Sequence, residues 1–152
     1  SGDAKAKLAL DAGADLAVNY READAAARIR EAAGGTGVDR IVEVDIGGNL
    51  PLDLQVLRQG GDITVYGSNT GEFKSAFFPL IGQHVRLRFF IVYSLEPADR
   101  AQALAHVNAW LERGALTHNV AARIPLERIV DAHELVESGR AVGNVVVDCS
   151  PA

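Results

Sequence analysis

The sequence predicts an α/β fold with a mostly parallel sheet, and three observations support that prediction. Alanine-rich stretches with helical spacing alternate with short β-branched stretches along the chain. Glycines stand where most of these helices should end. The helices are about ten residues long, the length that connects parallel strands of one sheet. At 152 residues the chain is long enough to bury a core, and its length alone suggests one domain.

The first part of the chain has the pattern helix, strand, helix, strand. Residues 3–12 predict a helix because leucines recur among alanines and lysines, and Gly13 stands where a helix needs a left-handed residue. A short strand should follow over residues 16–20. Alanine-rich residues 24–33 predict a second helix, and the glycine-rich turn after it leads into an apolar strand over residues 41–44.

The middle of the chain continues the alternation. Residues 50–57 predict a helix, which the glycine pair at 60–61 should stop. Residues 63–66 are β-branched and aromatic enough for a buried strand. A glycine-containing loop over 67–71 follows, and the apolar stretch 85–93 predicts the next strand.

The last part predicts one long helix and a second short pair of strands. Pro97 should open a helix that runs roughly to Arg113, with apolar residues at helical spacing on one face. A strand near residues 120–124, a helix over 126–138 and a final strand over 145–147 complete the chain.

Composition excludes several classes of function. The net charge is -5 with acids and bases interspersed, so nucleic acid and anionic membrane surfaces are not expected partners. No apolar run approaches the roughly 20 residues needed to span a bilayer, and a cytoplasmic location is expected. The single cysteine, Cys149, cannot form an internal disulfide, and the four histidines have no metal-ligand spacing. Because the chain contains no methionine, Ser1 is not expected to be the native start.

A series of short motifs follows one order along nearly the whole chain. The motifs are Ala12-Gly13-Ala14-Asp15, Val18-Asn19-Tyr20-Arg21-Glu22, Gly37-Val38-Asp39, Gly60-Gly61, Tyr66-Gly67-Ser68, Ala132-His133-Glu134, Glu137-Ser138-Gly139 and Gly143-Asn144-Val145-Val146. In this order they resemble the quinone oxidoreductases similar to zeta-crystallin. These are medium-chain dehydrogenase/reductases of the zinc-type alcohol dehydrogenase superfamily.

The resemblance implies an incomplete doubly wound Rossmann-type sheet whose first two strands are absent, followed by a C-terminal α+β tail. Residues 1–96 would be the remainder of the dinucleotide-binding domain, and residues 97–152 would pack on a catalytic domain outside this chain. The Gly-x-Gly-x-x-Gly turn that binds pyrophosphate would precede the chain. Gly34, Gly35 and Gly37 do not replace that turn, because they follow a helix and precede a strand.

The activity that the resemblance implies is transfer of a hydride from NADPH to a quinone or an α,β-unsaturated carbonyl. NADP(H) is therefore the expected cofactor. Lys5 and Tyr20 correspond to positions that contact the 2′-phosphate, where an ammonium pairs with the dianion and a phenol donates a hydrogen bond. Without the resemblance, Lys5 would be interpreted as a solvated lysine on a helix and Tyr20 as a tyrosine at a strand end whose ring packs against its neighbours.

Further cofactor-binding positions follow from the same resemblance. They are Asp45, Gly47, Gly67 and Ser68 after the middle strands, Phe90 and Val92 on the strand over 89–93, and Arg140 and Asn144 near the C-terminus. A turn, a core position or a solvated side chain is an open alternative for each of them. No catalytic or metal-binding residue is assigned. Adjacent helix residues do not face each other, so His133 and Glu134 are not expected to form an acid/base pair.

Two other functions stay open at this stage. A zinc-dependent alcohol dehydrogenase would share this architecture, because its metal ligands would come from the catalytic domain. A non-catalytic nucleotide-binding or dimerisation module is the other alternative. We expect the full protein to act on a small-molecule quinone or enone and to form a homodimer through the strand over 89–93, and we expect this chain alone to be inactive.

Overall fold

The computed structural model describes residues 2–75 and 77–150. The chain forms two compact units, residues 18–106 and residues 1–17 together with 107–152. The elements in chain order are α1 (Asp3–Asp11), α2 (Ala25–Ala32), β1 (Val38–Glu43), α3 (Ile46–Val56), β2 (Leu57–Val65), α4 (Phe77–Gly82), β3 (Arg86–Phe89), a 3₁₀ turn (Val92–Ser94), α5 (Pro97–Glu112), β4 (Val120–Pro125), a second 3₁₀ turn (Leu126–Arg128), α6 (Ile129–Glu137) and β5 (Asn144–Asp148).

The unit of residues 18–106 is built on a three-stranded sheet in the order β1-β2-β3, and both strand pairings are parallel. Helix α3 connects β1 to β2 and helix α4 precedes β3, so each crossover is helical. The predicted α/β class with a parallel sheet is confirmed. Because all three strands run in one direction, their carboxyl ends meet at one edge of the sheet.

The core of this unit lies between α3 and one face of the sheet. Ile46 and Leu50 from the helix pack with Leu57, Ile63 and Val65 from β2. Alternate residues of β2 are buried from Gly61 onward, and Ile63 is fully buried, as expected for a central strand. This packing fixes where β1 and β2 end and therefore where the loops that follow them begin.

The other unit contains a smaller parallel pair. Strands β4 and β5 pair in parallel, and α6 connects them. Ala132 is the buried residue of α6. Asn119, just before β4, connects the beginnings of the two strands by hydrogen bonds. Its carbonyl accepts the Asn144 amide at 2.8 Å, and its side chain donates to the Val142 carbonyl at 3.0 Å.

Most predicted helices are confirmed with bounds close to those expected. Helices α1, α2 and α5 start and end within two residues of the predicted positions. Gly13, Gly114 and Gly139 have positive φ angles of 104°, 64° and 65° just beyond α1, α5 and α6. These glycines terminate their helices in the left-handed conformation that other residues avoid.

Two predicted features of the first half are wrong. Residues 16–19 have no regular secondary structure and Tyr20 lies in a turn, so the strand over 16–20 does not form among the described residues. A strand requires a neighbouring backbone, and residues 16–20 pair with none of the described strands. The glycine pair at 60–61 does not stop a helix, since α3 ends at Val56 and both glycines lie within β2.

The strand predicted over 85–93 is also shorter than expected. Strand β3 ends at Phe89, and Val92 lies in the 3₁₀ turn instead of on the strand. The strand ends because it is an edge strand with one neighbour: beyond the Phe90 amide, which donates to the Val65 carbonyl at 3.1 Å, β2 offers no further pairing. The predicted division at residues 96 and 97, with the tail packing on a second domain, stays a prediction.

Candidate functional site

A cavity of about 670 Å³ opens at the carboxyl ends of β2 and β3. The loop after β2 lines one side, and the segment after β3 lines the other. Ile46, the first residue of α3, closes the base between them. The volume lies within the range of about 300–1,000 Å³ that ligand pockets usually have. The cavity therefore occupies the place in an open parallel sheet where ligands are normally bound.

Aromatic rings and hydroxyl groups line this cavity. Tyr66 and Phe90 form one ring pair with centroids 6.3 Å apart, and Phe73 and Phe89 form another at 6.1 Å. Hydroxyl groups come from the loop after β2 and from the 3₁₀ turn. Among the described residues, the lining is Ile46, Val65, Tyr66, Gly67, Ser68, Thr70, Gly71, Glu72, Phe73, Phe89, Phe90, Ile91, Ser94 and Leu95. Such a surface suits a flat ring with a few polar substituents.

Asp45 ties the loop after β1 to the loop after β2. Its Oδ1 accepts the Asn69 backbone amide at 2.8 Å, and its Oδ2 accepts the Asn69 side-chain amide at 2.8 Å. The backbone hydrogen bond from Asn69 is the main cause that lowers the pKa of Asp45 below its ordinary value. Asp45 is therefore an ionised structural clamp, and its two carboxylate oxygens are already occupied by Asn69.

Gly47 and Gly67 are required by close approach of these loops. A methyl group on Gly47 would overlap the Thr70 hydroxyl, and one on Gly67 would overlap the Val44 carbonyl oxygen. The Gly67 carbonyl in turn accepts the Ile46 amide at 3.3 Å. Both glycines thus bring the two loops together, and the surface that results is part of the cavity wall.

A buried pair of carboxyl groups lies beneath the same loops. Glu43 is the last residue of β1, Asp53 lies on α3, and each is only 5% exposed. One oxygen of Glu43 accepts the Asp45 backbone amide and also the Asn49 side-chain amide, the latter at 2.9 Å. Burial, the charge of Glu43 and a hydrogen bond to it raise the pKa of Asp53 from 3.8 to about 7. Asp53 Oδ2 has no hydrogen-bond partner among the described residues.

The cavity fits one end of a nicotinamide dinucleotide and does not fit the other. Its aromatic and hydroxyl groups suit a nicotinamide ring and the ribose attached to it. Within the described part of the chain no lysine or arginine lines it, and Glu72 contributes a carboxylate, so phosphate groups would not be stabilised there. Phosphates of such a cofactor need cations from other segments of the chain.

The predicted site residues are distributed over both units. Asp45, Gly47, Gly67, Ser68 and Phe90 lie at or beside the cavity. Tyr20 belongs to the same unit but lies in a turn before α2, where the Arg21 guanidinium carbon is 5.7 Å from its ring centroid.

The remaining predicted residues do not line the cavity. Val92 is the first residue of the 3₁₀ turn and lies in the sequence between the lining residues Ile91 and Ser94. Lys5 on α1, Arg140 after α6 and Asn144 on β5 belong to the other unit, and all three are exposed.

Sequence reasoning missed Thr70, Phe73, Ser94 and the buried carboxyl pair. Thr70 and Phe73 lie in the loop after β2, Ser94 ends the 3₁₀ turn after β3, and in the sequence none of the three differs from an ordinary loop residue. The pair has a detectable signal, because Glu43 interrupts the β-branched run Ile41-Val42-Glu43-Val44 and Asp53 interrupts a leucine-rich helix. A charged residue at a position with core periodicity is seldom tolerated unless it is paired.

Parallel strands with a cavity at their carboxyl ends are typical of nucleotide-binding α/β domains. Comparison with protein families specifies the class further: the profile of the zinc-binding dehydrogenase family matches residues 12–147. The chain therefore belongs to the zinc-binding dehydrogenase family.

Among proteins of known name, the chain is 30% identical to the quinone oxidoreductase of Lama guanicoe over 142 residues. The match covers 93% of this chain and 43% of that protein. A solved mycobacterial quinone oxidoreductase is 28% identical with a TM-score of 0.82, covering 97% of this chain and 46% of the other. A mycobacterial structure complexed with NADPH is also 28% identical, with a TM-score of 0.79 and coverage of 97% and 47%. The chain thus spans less than half the length of these relatives.

Because the family is described as zinc-binding, the question is whether this chain groups side chains that could bind a metal ion. Among residues 2–75 and 77–150, no three or more His, Cys, Asp or Glu side chains are grouped closely enough to hold a metal ion. Within the same residues, no helix combines the length and apolar character that crossing a bilayer requires.

Proposed function

We propose that the protein carrying this chain is an NADP(H)-dependent oxidoreductase that reduces a quinone or an α,β-unsaturated carbonyl. The observation that carries the proposal is the cavity at the carboxyl ends of β2 and β3, lined by aromatic rings and hydroxyls. Family membership and the similarity to quinone oxidoreductases support the same reaction class. When bound, the cofactor supplies a hydride from its nicotinamide ring, and this hydride with a proton from solvent reduces the acceptor.

The chain would contribute binding and orientation. Tyr66, Phe89 and Phe90 offer ring faces and edges against which the nicotinamide can lie, and Ser68 and Thr70 offer hydroxyl groups for polar substituents. The cavity walls would also keep water away from the transferred hydride.

NADP(H) rather than NAD(H) is the proposed cofactor because cations are available outside the cavity. The turn that carries Tyr20 supplies a phenol and, through Arg21, a guanidinium. Lys5 on α1 is proposed separately as a contact for the phosphate through its ammonium group. A dianionic 2′-phosphate is stabilised by groups of this kind, and the ribose diol of NAD(H) would not require them.

The test is NADPH oxidation by the full-length protein, followed by the loss of NADPH absorbance with a series of quinones and enones. Ser94→Trp should fill part of the cavity and raise the NADPH KM by about tenfold or more, a loss of about 1.4 kcal/mol. The matched control is Thr36→Trp, which places the same ring on an exposed turn outside the cavity. Equal KM values for the two variants would remove the cavity from the cofactor site, and absence of NADPH oxidation with every acceptor would refute the proposed activity.

The family description favours a second candidate, a zinc-dependent alcohol dehydrogenase. That function requires zinc ligands from a part of the protein outside this chain. Metal analysis of the purified full-length protein separates the two candidates. Stoichiometric zinc together with chelator-sensitive alcohol oxidation would establish the second candidate in place of the first.

A further inference from the structure

Glu43 and Asp53 are two acidic groups in the core of a small domain, and no ion pair joins either of them to a cation among residues 2–75 and 77–150. Both are 5% exposed. Two carboxylates at hydrogen-bonding distance in a buried place cannot both be ionised without a large cost, so such pairs retain one proton between them. Burial, the charge of Glu43 and a hydrogen bond with it raise the pKa of Asp53, and this agrees with the burial of both side chains.

The elements packed around the pair offer it no compensating positive charge. From β2, the buried residues on this side of the sheet are Leu57, Ile63 and Val65, all apolar. From α2, Arg30 reaches toward α3, but its guanidinium donates to the Gln55 and Gly35 carbonyls. After β1, the Asp45 carboxylate is directed to Asn69.

The protonated form fits the hydrogen bonds that are present. An ionised Asp53 would need donors for both of its oxygens, yet Oδ2 is buried and has no partner among the described residues. Glu43 has such donors, because one of its oxygens accepts both the Asp45 amide and the Asn49 side chain. The proton therefore belongs on Asp53.

Glu43 connects this pair to the candidate site in two steps. Its carboxylate holds the backbone amide of Asp45, and the Asp45 carboxylate holds both amides of Asn69 in the loop after β2. Ile46, the next residue after Asp45, and Ser68, the residue before Asn69, line the cavity. A displacement of the Glu43 carboxylate would therefore reach both loops that bound the ligand.

We propose that Glu43 and Asp53 form a carboxyl pair sharing one proton that positions the loops around the cavity, so that loss of this proton weakens NADPH binding. Removing the proton creates two buried negative charges, and their repulsion pushes Glu43 away from the Asp45 amide. Both residues are positioning residues, since neither touches the cavity. The inference rests on the proposed function for the identity of the ligand, while the shared proton itself is independent of that function.

Two measurements on the full-length protein test this inference. The first is the NADPH dissociation constant from cofactor fluorescence as a function of pH, in the wild type and in Asp53→Asn, which keeps a hydrogen-bond donor toward Glu43 and cannot ionise. Between about pH 6 and pH 8.5 the wild type should lose at least about fivefold more affinity than Asp53→Asn, the lower end of ordinary coupling between two sites. Asp99→Asn, an exposed carboxyl change on α5, should follow the wild type.

The second measurement is carbon-13 NMR of the aspartate side-chain carboxyls, with the Asp53 signal assigned by its loss in Asp53→Asn. The Asp53 carboxyl should titrate near neutral pH, and saturation with NADPH should move its titration to higher pH because linkage is reciprocal. Glu43→Gln should return the Asp53 titration to lower pH, which keeps the test valid if Asp53→Asn does not fold.

The outcomes separate this inference from the proposed function. Absence of NADPH binding at every pH, with Asp53 still titrating near neutral pH, would overturn the proposed function and the coupling but leave the carboxyl pair. Titration of Asp53 at the ordinary acidic pH, or parallel NADPH affinities in wild type and Asp53→Asn, would overturn the positioning role while NADPH binding itself stands.

Discussion

Asp53 shows how one buried side chain sets a pH dependence for a whole domain. Its folded pKa is about 7 against an ordinary value of 3.8, because it is buried beside Glu43. The native state therefore holds the proton more tightly than the unfolded chain does. The contribution of Asp53 to stability is therefore fully present below about pH 4, falls as pH rises to about 7, and is lost above that pH.

Asp53→Asn should remove this pH dependence, because asparagine fits the same space and carries no proton to lose. A shift of about three pKa units corresponds to at most about 4 kcal/mol of destabilisation at alkaline pH. The variant should therefore raise the melting temperature of the full-length protein at pH 8 and have little effect at pH 4, as measured by calorimetry. With Asp99→Asn, the melting temperature should not move at either pH. A variant less stable than wild type at both values would contradict the assignment.

Lys5 is the residue on which the preference for NADPH is expected to depend most. A charge-assisted contact with the 2′-phosphate contributes about 1.5–3 kcal/mol, so Lys5→Ala should raise the NADPH KM by about tenfold or more and leave the NADH KM nearly unchanged. Lys7→Ala is the matched control on the same helix, since Lys7 forms an ion pair with Asp11 at 2.6 Å. The measurement is the KM for NADPH and for NADH in steady-state kinetics. Equal changes in the two KM values would show that Lys5 does not contact the 2′-phosphate.

At the scale of elements, the sequence was most informative about helices that are bounded by local signals. Helices α1 and α5 end at Asp11 and Glu112, each shortly before a glycine with positive φ, and these signals act within one turn of the chain. The strand expected at residues 16–20 failed because a strand depends on a neighbour that local composition does not encode.

The prediction that the glycine pair at 60–61 stops a helix is wrong because its actual role also depends on a neighbouring strand. Gly60 has a φ of 69° and donates its amide to the Gln83 carbonyl at 2.7 Å. Here β2 advances from Leu57 to Asp62 while β1 advances only from Val38 to Arg40, so the glycines accommodate a bulge within the strand. A glycine pair that follows apolar helical spacing has the same local pattern as a helix stop.

The candidate site was predictable where it depends on topology and not where it depends on side-chain packing. Loops after parallel strands were the expected location, and five predicted residues from Asp45 to Phe90 lie at or beside the cavity. The function of Asp45 as a clamp on Asn69 depends on a contact 24 residues apart in the sequence, which no local pattern encodes.

Strand β3 is the element expected to mediate homodimer formation, because it lies at the sheet edge with one side unpaired. Phe89 and Ile91, at and just beyond its end, are 58% and 56% exposed. Replacing either with lysine should give monomers in sedimentation equilibrium. The control is Val130→Lys on α6, which alters a side chain that is 64% exposed in the other unit. Because Phe89 and Ile91 also line the cavity, association rather than activity is the quantity to measure, and an unchanged dimer would place the interface elsewhere.

At the scale of the whole molecule, we propose that other segments of the full-length protein cover the exposed apolar side chains of this chain. Phe78, Tyr93 and Val42 are 80%, 84% and 68% exposed. Where such side chains form a contiguous patch, that patch marks a contact with another segment or subunit. The relatives, of which this chain spans 43%, are long enough to provide such a segment.

Residues 1–152 on their own should therefore neither bind NADPH tightly nor reduce quinones. The chain contains no Gly-x-Gly-x-x-Gly turn to hold the pyrophosphate, and its apolar surface should cause it to oligomerise or to bind the rest of the protein. Light scattering, NADPH fluorescence and quinone-dependent loss of NADPH absorbance test these expectations, with the full-length protein as the positive control. Turnover by a monomer of residues 1–152 would require a different pyrophosphate site.

The division of the chain into two units has a consequence for its synthesis on the ribosome. Residues 18–106 are contiguous, so their three-stranded sheet can form as soon as β3 has emerged. Residues 1–17 are translated earlier but belong with residues 107–152, and they must wait until β5 is complete. Helix α1 has nine residues, too few to be stable alone in water, so it depends on contacts with other segments. During synthesis of the full-length protein, α1 should therefore become resistant to proteolysis later than the sheet of residues 18–106.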